Sequence, residues 1–396
     1  MEELATEQSD ATSLARWPSV VLAFALLAAL VWANLAPHSY HQIFGTHLSN
    51  FLSLANLASV EDWLNNGLMV VFFLAVGLEV GHERRHGALA ENRSALAPVL
   101  AALGGMVVAA LSYLLVAASW HGDATVLSGW GIPMATDIAF ALGGLQLLGA
   151  KVPSSLRVFV LALAVADDVF SVIALGVTSA AAVSYLWALA AVGVVVVVLF
   201  MRQSVTSRSP YLAATFLLWL AMAKAGIEPI LAGAIVGVLV PTTEVGSAPS
   251  TSTKLLRPVA LISSAVVLPL FVLANTGVSL SGSAFQATQT SAVVMALLFA
   301  RTAGKVVGIA GTVFVLRSMG IFRFEKGVSM GNMIGASLLC GVGFTVPLLY
   351  ASVAFSHNDA LFAATQLGLL LASLLGLTSG IVVLLITARK AKLTTA

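Results

Sequence analysis

Twelve stretches of this chain are long and apolar enough to cross a bilayer, and that repetition constrains the fold more than any other feature. A spanning helix needs ~20 apolar residues. The runs lie at about 17–36, 63–82, 94–119, 127–149, 154–178, 183–201, 210–224, 226–242, 257–281, 290–316, 328–352 and 362–388. Solid segments such as Val194–Phe200 read as helix, because a membrane barrel alternates apolar and polar residues. Composition agrees: 59% of the 396 residues are apolar and 9% are charged, against ~25% charged in soluble domains. So few charges cannot cover a soluble globule, which excludes a water-soluble enzyme. A net charge of +2 offers no footprint for nucleic acid. The single cysteine, Cys340, excludes an internal disulfide. The expected fold is all-α and polytopic, with about twelve transmembrane helices in one domain at 17–388, a tail at 1–16 and another at 389–396.

The linkers are short. The longest, 37–62, carries Pro37, Asn50 and the acidic pair Glu61–Asp62, with room for a short hairpin. The boundary between the seventh and eighth runs falls near Gly226. The first run lacks the basic leader of a signal peptide; residues 1–16 hold Glu2, Glu3, Glu7 and Asp10 against Arg16. It is read as a membrane helix. Orientation follows from basic residues, which concentrate on the cytoplasmic side. Of nineteen Lys and Arg, Lys224 alone falls outside if both termini are cytoplasmic. Arg301 and Lys305 lie within the tenth run, so the other sixteen are inside.

Four ionisable residues sit near mid-depth: Asp137 in the fourth run, Asp167 and Asp168 in the fifth, and Lys305 in the tenth. Each costs ~2.5–3.5 kcal/mol at the bilayer centre, so together they demand pairing or hydration. A buried structural ion pair is the plain reading of one Asp and one Lys. Three acids against one central base do not close such a set, and the surplus carboxylates call for a cation or protons. Adjacent helical residues point ~100° apart. One of Asp167 and Asp168 can therefore hold Lys305 while the other faces a cavity. Carboxylate, hydroxyl and carbonyl oxygens suit hard cations. The seven histidines lie in loops or at helix ends, and no His/Cys cluster suggests zinc.

Two runs are interrupted. The fourth carries Gly131-Ile-Pro133-Met-Ala-Thr136-Asp137, and the eleventh carries Cys340-Gly341-Val-Gly343-Phe-Thr345-Val-Pro347. Proline and glycine at mid-depth free backbone groups that must line protein or water. A simple kink is the plain reading of either. Both, however, are the middle member of a triplet, runs 3–5 and 10–12, that traverse in opposite senses. That is the pattern of inverted repeats with discontinuous helices around a midplane site. Half-helix N-termini favour an acid such as Asp137, and C-termini a base such as Lys305.

Other residues signal less. Glu79, His82 and Glu83, beside Arg84 and Arg85, read either as a solvated helix end or as a pH-responsive cytoplasmic mouth, since His titrates near neutrality. Arg301 lies one turn from Lys305; pairing with an acid and snorkelling both remain open. Glu228 abuts Pro229 near an outer helix end and is expected in water. Cys340 reads as a small packing residue.

These residues carry a resemblance. Phe72–Glu79 (FFLAVGLE), Pro133–Gly143 (PMATDIAFALG), Ala164–Asp168 (AVADD), Leu268–Val278 (LPLFVLANTGV), Gly304-Lys305 and Cys340–Thr345 (CGVGFT) resemble the NhaA family of Na+/H+ antiporters, in order, from about residue 17 to the C-terminus. The resemblance implies that Asp168 is the essential cation ligand and proton carrier, and that Asp167 pairs with Lys305 and joins the exchange. Thr136 and Asp137 would sit at a helix break, with Asp137 balancing the half-helix ends, and Glu79 in a cytoplasmic funnel. It further implies expulsion of Na+ and Li+ by inward H+ across a bacterial inner membrane, more protons moving in than cations out, no cofactor, and a homodimer in the lipid bilayer. Departures lie at the periphery. Gly81 and His82 stand where basic residues are usual, Asn66 where an Asp is common, Glu228 where a well-studied member has His, and Lys254–Pro258 replaces a Glu- and His-rich segment. Arg301 is also unusual.

Two other classes share parts of this pattern. An intramembrane aspartyl protease would pair two aspartates, but Gly341-Val-Gly343 is followed by Phe344 rather than an acid. A sodium-coupled organic-anion symporter would need a larger cavity and have little use for Lys305. The residues favour antiport, with two protons per Na+ expected from Asp168 and either Asp167 or Lys305.

Overall fold

The computed structural model describes residues 17–46, 59–86, 92–178, 184–242, 250–277, 288–324, 327–356 and 358–395. Each of the twelve apolar runs folds as a helix or as two helices with a break between them. In chain order these are α1 (Trp17–Leu35), α2 (Pro37–Phe44), α3 (Met69–His86), α4 (Asn92–Ser119), α5 (Ala124–Leu127), α6 (Ile138–Leu147), α7 (Ser154–Thr178), α8 (Tyr185–Met201), α9 (Ser209–Ala225), α10 (Leu231–Leu239), α11 (Thr251–Ile262), α12 (Leu268–Asn275), α13 (Thr288–Phe299), α14 (Lys305–Ser318), α15 (Met330–Leu339), α16 (Thr345–Ala354) and α17 (Asp359–Thr395). π-Helical turns at Trp63–Leu68, Ser263–Val267 and Ala300–Gly304 lead into α3, α12 and α14. Among the described residues, six uninterrupted stretches of 23 to 32 residues are long and apolar enough to cross a membrane alone.

Local signals place the ends. Asp123 caps α5 by accepting from Val126 N at 2.9 Å, and Ser329 and Asn332 form a capping box at α15. Gly226 closes α9 with φ +76°, a left-handed conformation that glycine adopts without strain. This is the boundary the sequence marked between runs seven and eight. Of the 37–62 linker, which had room for a short hairpin, residues 47–58 lie outside the described residues, as does the leading tail 1–16. Before them, α2 bends away from α1 by 118° at Ala36–Pro37.

The chain divides into two compact units. The first comprises Met1–Ala23, Glu91–Ser171 and Val278–Ala396; the second comprises Phe24–Ala90 and Val172–Gly277.

Within the first unit, α14 packs along α4, α13 packs on α4 and α17, and α15 packs on α17. Buried Ala101, Leu145, Leu163, Ile309, Val313 and Leu339 form part of its core. The α4–α14 crossing is close because it is made of glycine. A Cβ on Gly308 would stand 2.6 Å from Gly105 Cα, and one on Gly304 3.2 Å from Ala109 Cα. This small-xxx-small spacing is a common basis for helix packing in lipid, and here it flanks Lys305. Within the second unit, α3 packs on α10 and α11, and α8 on α9. Asn65 and Asn275 exchange amide hydrogen bonds at 2.8 and 3.2 Å. The Tyr40 hydroxyl lies 2.7 Å from both the Leu273 and Ala274 carbonyls at the end of α12, and accepts from Gly277 N at 3.1 Å.

Candidate functional site

In the first unit the two broken spans meet at their breaks. The segment between α5 and α6 runs through a 3-10 turn, Ser128–Gly131, a further turn at 132–134 and then irregular backbone to Asp137. The segment between α15 and α16 spans Cys340–Phe344. Asp137 N donates to Val342 O at 3.1 Å, and Thr136 Oγ1 donates to Cys340 O at 2.8 Å. Asp137 then caps α16. Its Oδ2 accepts from Phe344 N (2.7 Å) and Thr345 N (3.0 Å), and its Oδ1 accepts from the Thr345 hydroxyl (2.7 Å). A carboxylate here meets orphan N–H donors and the positive end of the helix dipole. Ser373 on α17 accepts from Gly343 N at 3.2 Å. Backbone freed by the breaks is thereby satisfied inside protein, as the bilayer requires.

The cations serve the opposite ends. The Lys305 ammonium donates to Asp167 Oδ2 at 3.1 Å, to Thr136 Oγ1 at 3.2 Å and to the Met134 carbonyl. For Arg301 the sequence allows pairing or snorkelling, and the structure shows a third arrangement. Arg301 is 0% exposed and, among the described residues, donates only to carbonyls: Nε to Gly341 O at 2.9 Å, and its two amino groups to Ala135 O at 3.1 Å and Ile132 O at 3.4 Å. It thus ties one break to the other. Gly343 makes room for the guanidinium, since a Cβ there would collide with it, and Gly341 makes room for the Arg301 backbone, since a Cβ there would collide with its carbonyl. The π turn Ala300–Gly304 carries Arg301 and leads directly into Lys305; such turns recur at functional sites. The fixed positive charges at this centre are therefore two, not one.

Asp167 and Asp168 are both buried on α7. Of the two, Asp167 bonds Lys305, and its Oδ1 has no hydrogen-bond partner among the described residues. Thr345, for which the sequence indicates no role, completes the Asp137 cap. Cys340 is buried and contributes its carbonyl. Glu79 and His82 are half-buried, three residues apart on α3 in the second unit; the side chain of Glu83 lies outside the described set. Glu228 departs from expectation. It is 9% exposed rather than in water, and its Oε1 has no hydrogen-bond partner among the described residues.

A multi-pass helical membrane protein with two discontinuous spans crossing at a buried carboxylate and amine belongs to the class of secondary transporters, not of enzymes. Comparison with known proteins makes the class specific. The family model described as Na+/H+ antiporter 1 matches residues 10–384. Proteins named Na(+)/H(+) antiporter NhaA are similar throughout. That of Janthinobacterium sp. (strain Marseille) is 37% identical over 401 residues, covering 90% of this chain and 87% of that protein. That of Albidiferax ferrireducens is 38% identical, covering 94% and 95%. That of Yersinia pseudotuberculosis is 39% identical, covering 89% and 90%. The chain belongs to the NhaA family of Na+/H+ antiporters.

Proposed function

We propose that this chain expels Na+, and Li+ with it, from the bacterial cytoplasm in exchange for external protons, by alternating access to a buried site at Asp168 and Asp167. The observation that carries the reading is the Asp167–Lys305 ion pair, buried beside a second carboxylate where two broken helices cross. A bound Na+ or a proton can neutralise the same carboxylate, so each displaces the other. That mutual exclusion is the minimum an antiporter needs.

Charge counting supports two protons per Na+. With Asp137, Asp167 and Asp168 ionised against Arg301 and Lys305, the centre carries one net negative charge. One Na+ cancels it. Two protons, on Asp168 and Asp167, leave it at +1. Lys305 tolerates protonation of Asp167 because Thr136 and the Met134 carbonyl still accept from it. The proton-loaded form is then the charged one, and a membrane potential drives it at ~2.3 kcal/mol per charge per 100 mV. With both termini cytoplasmic, an inside-negative potential pulls protons in.

The test is right-side-out proteoliposomes with a potassium-diffusion potential set by valinomycin. An inside-negative potential should accelerate Na+ exit from the lumen. Exchange indifferent to potential would mean one-for-one transport, with Asp167 and Lys305 keeping their protonation states throughout.

A further inference from the structure

Helix α7 carries a buried hydroxyl that none of the pairings above uses. Ser171 is 0% exposed, and its Oγ has no hydrogen-bond partner among the described residues. Three other buried hydroxyls from helix interiors behave differently, while Ser252, also without a partner among the described residues, sits in the first turn of α11, where no carbonyl of its own helix lies four residues back. Thr215, Ser337 and Thr365 each donate to the carbonyl four residues back, at 2.8, 2.7 and 2.9 Å, the usual resting place for such a group. Ser171 makes no such bond to Asp167 O. A buried polar group left unmade is costly, so an unmet hydroxyl beside two carboxylates points to a ligand.

Helix geometry sets its direction. At about 100° per residue, with Asp167 at zero, Asp168 points to about 100° and Ser171 to about 40°. The hydroxyl therefore lies one turn along, in the sector between the two carboxylates. Side chains three and four residues apart have Cβ atoms ~5–6 Å apart, within reach of one shared ion. The turn is also fixed, because Ser171 O accepts the Tyr350 hydroxyl at 2.9 Å. Tyr350 stands on α16, the half-helix that Asp137 caps.

We propose that Ser171 Oγ is a neutral oxygen ligand to the cation held by Asp167 and Asp168, and that it favours Na+ over Li+. Hard cations take oxygen donors. A donor set one helical turn apart suits the larger ion, because the smaller one must draw its ligands closer. This rests on the reading of Asp168 as the exchanging carboxylate.

The experiment is Na+- and Li+-driven proton flux in proteoliposomes of the full chain, for wild type, Ser171→Ala, Ser171→Cys and Asp168→Asn. Cysteine nearly preserves the volume of serine but offers sulfur, a poor donor to hard cations. Both Ser171 variants should raise the KM for Na+ about tenfold, as expected for loss of one bond to a charged group. The KM for Li+ should rise less, and the effect should fall on KM rather than kcat. A Ser171→Cys protein with the wild-type KM would overturn the assignment, as would equal shifts for the two ions. Neither result for Ser171 bears on the underlying reading, which fails only if Asp168→Asn still exchanges at the wild-type rate.

Discussion

Lys305 and Arg301 stand four residues apart and solve different problems. Lys305 makes one bond to a carboxylate and two to neutral oxygens. Arg301, among the described residues, makes only carbonyl bonds, which its planar fork can span in a way an ammonium cannot. Lys305→Ala should strip the counter-charge from Asp167, and truncating one partner of a buried pair costs ~3–5 kcal/mol. The variant should melt well below wild type in detergent, while Lys305→Arg retains some transport; an Ala variant as thermostable as wild type would refute the pairing. Arg301→Met should leave three carbonyls without their donor, at about 1 kcal/mol each. Its Tm should fall, with Arg301→Lys recovering only part of the loss. A Met variant with unaltered Tm would mean that the guanidinium ties nothing together.

The broken spans are held by capping rather than by propensity. Neither α6 nor α16 exceeds ten residues, and isolated helices this short are marginal. For α16 the stabilising groups are the Asp137 carboxylate and the Thr345 hydroxyl. Asp137→Asn keeps one acceptor oxygen but loses the charge and the second. The cap and dipole contributions together suggest a loss of about 1–2 kcal/mol. Transport should fall further than stability, because the same shift moves Thr136 away from Lys305. Thermal melts alongside flux measurements check this: if Asp137→Asn transports normally, the cap does not position the site.

At the scale of the whole molecule, the proposed competition would couple transport to pH without a separate sensor. On the proposal that Asp168 accepts either a proton or Na+, lowering pH should fill it with protons and raise the apparent Na+ requirement. Across the acidic side of its titration, each pH unit upward should lower the KM for Na+ by up to about tenfold per competing proton. Flux measured between pH 6 and 9 should show KM falling while kcat changes little. If KM stays flat while kcat rises steeply, a titrating group other than Asp168 governs activity instead.

Much of this was legible in the chain itself. Apolar runs the length of a bilayer admit one kind of secondary structure, because lipid offers backbone groups no partner. Pro133, Gly341 and Gly343 marked the breaks, since proline and glycine end helices by local geometry. Charges at mid-depth marked the candidate site, because they are costly there, and the structure brings Asp137, Asp167 and Lys305 together around the two breaks. Partnership was not legible. Adjacent Asp167 and Asp168 are equivalent in the sequence, and only the tertiary placement of α14 relative to α7 decides that Lys305 bonds Asp167. Arg301 could pair or snorkel by sequence; in the fold it points inward to carbonyls remote in the chain, with Gly343 leaving space for its guanidinium. Glu228 looked solvated beside Pro229, yet the fold around it buries it. Composition and periodicity act within a helix and are read along the chain, whereas the direction of a side chain and the identity of its partner depend on which helices cross, and the tertiary structure alone sets that.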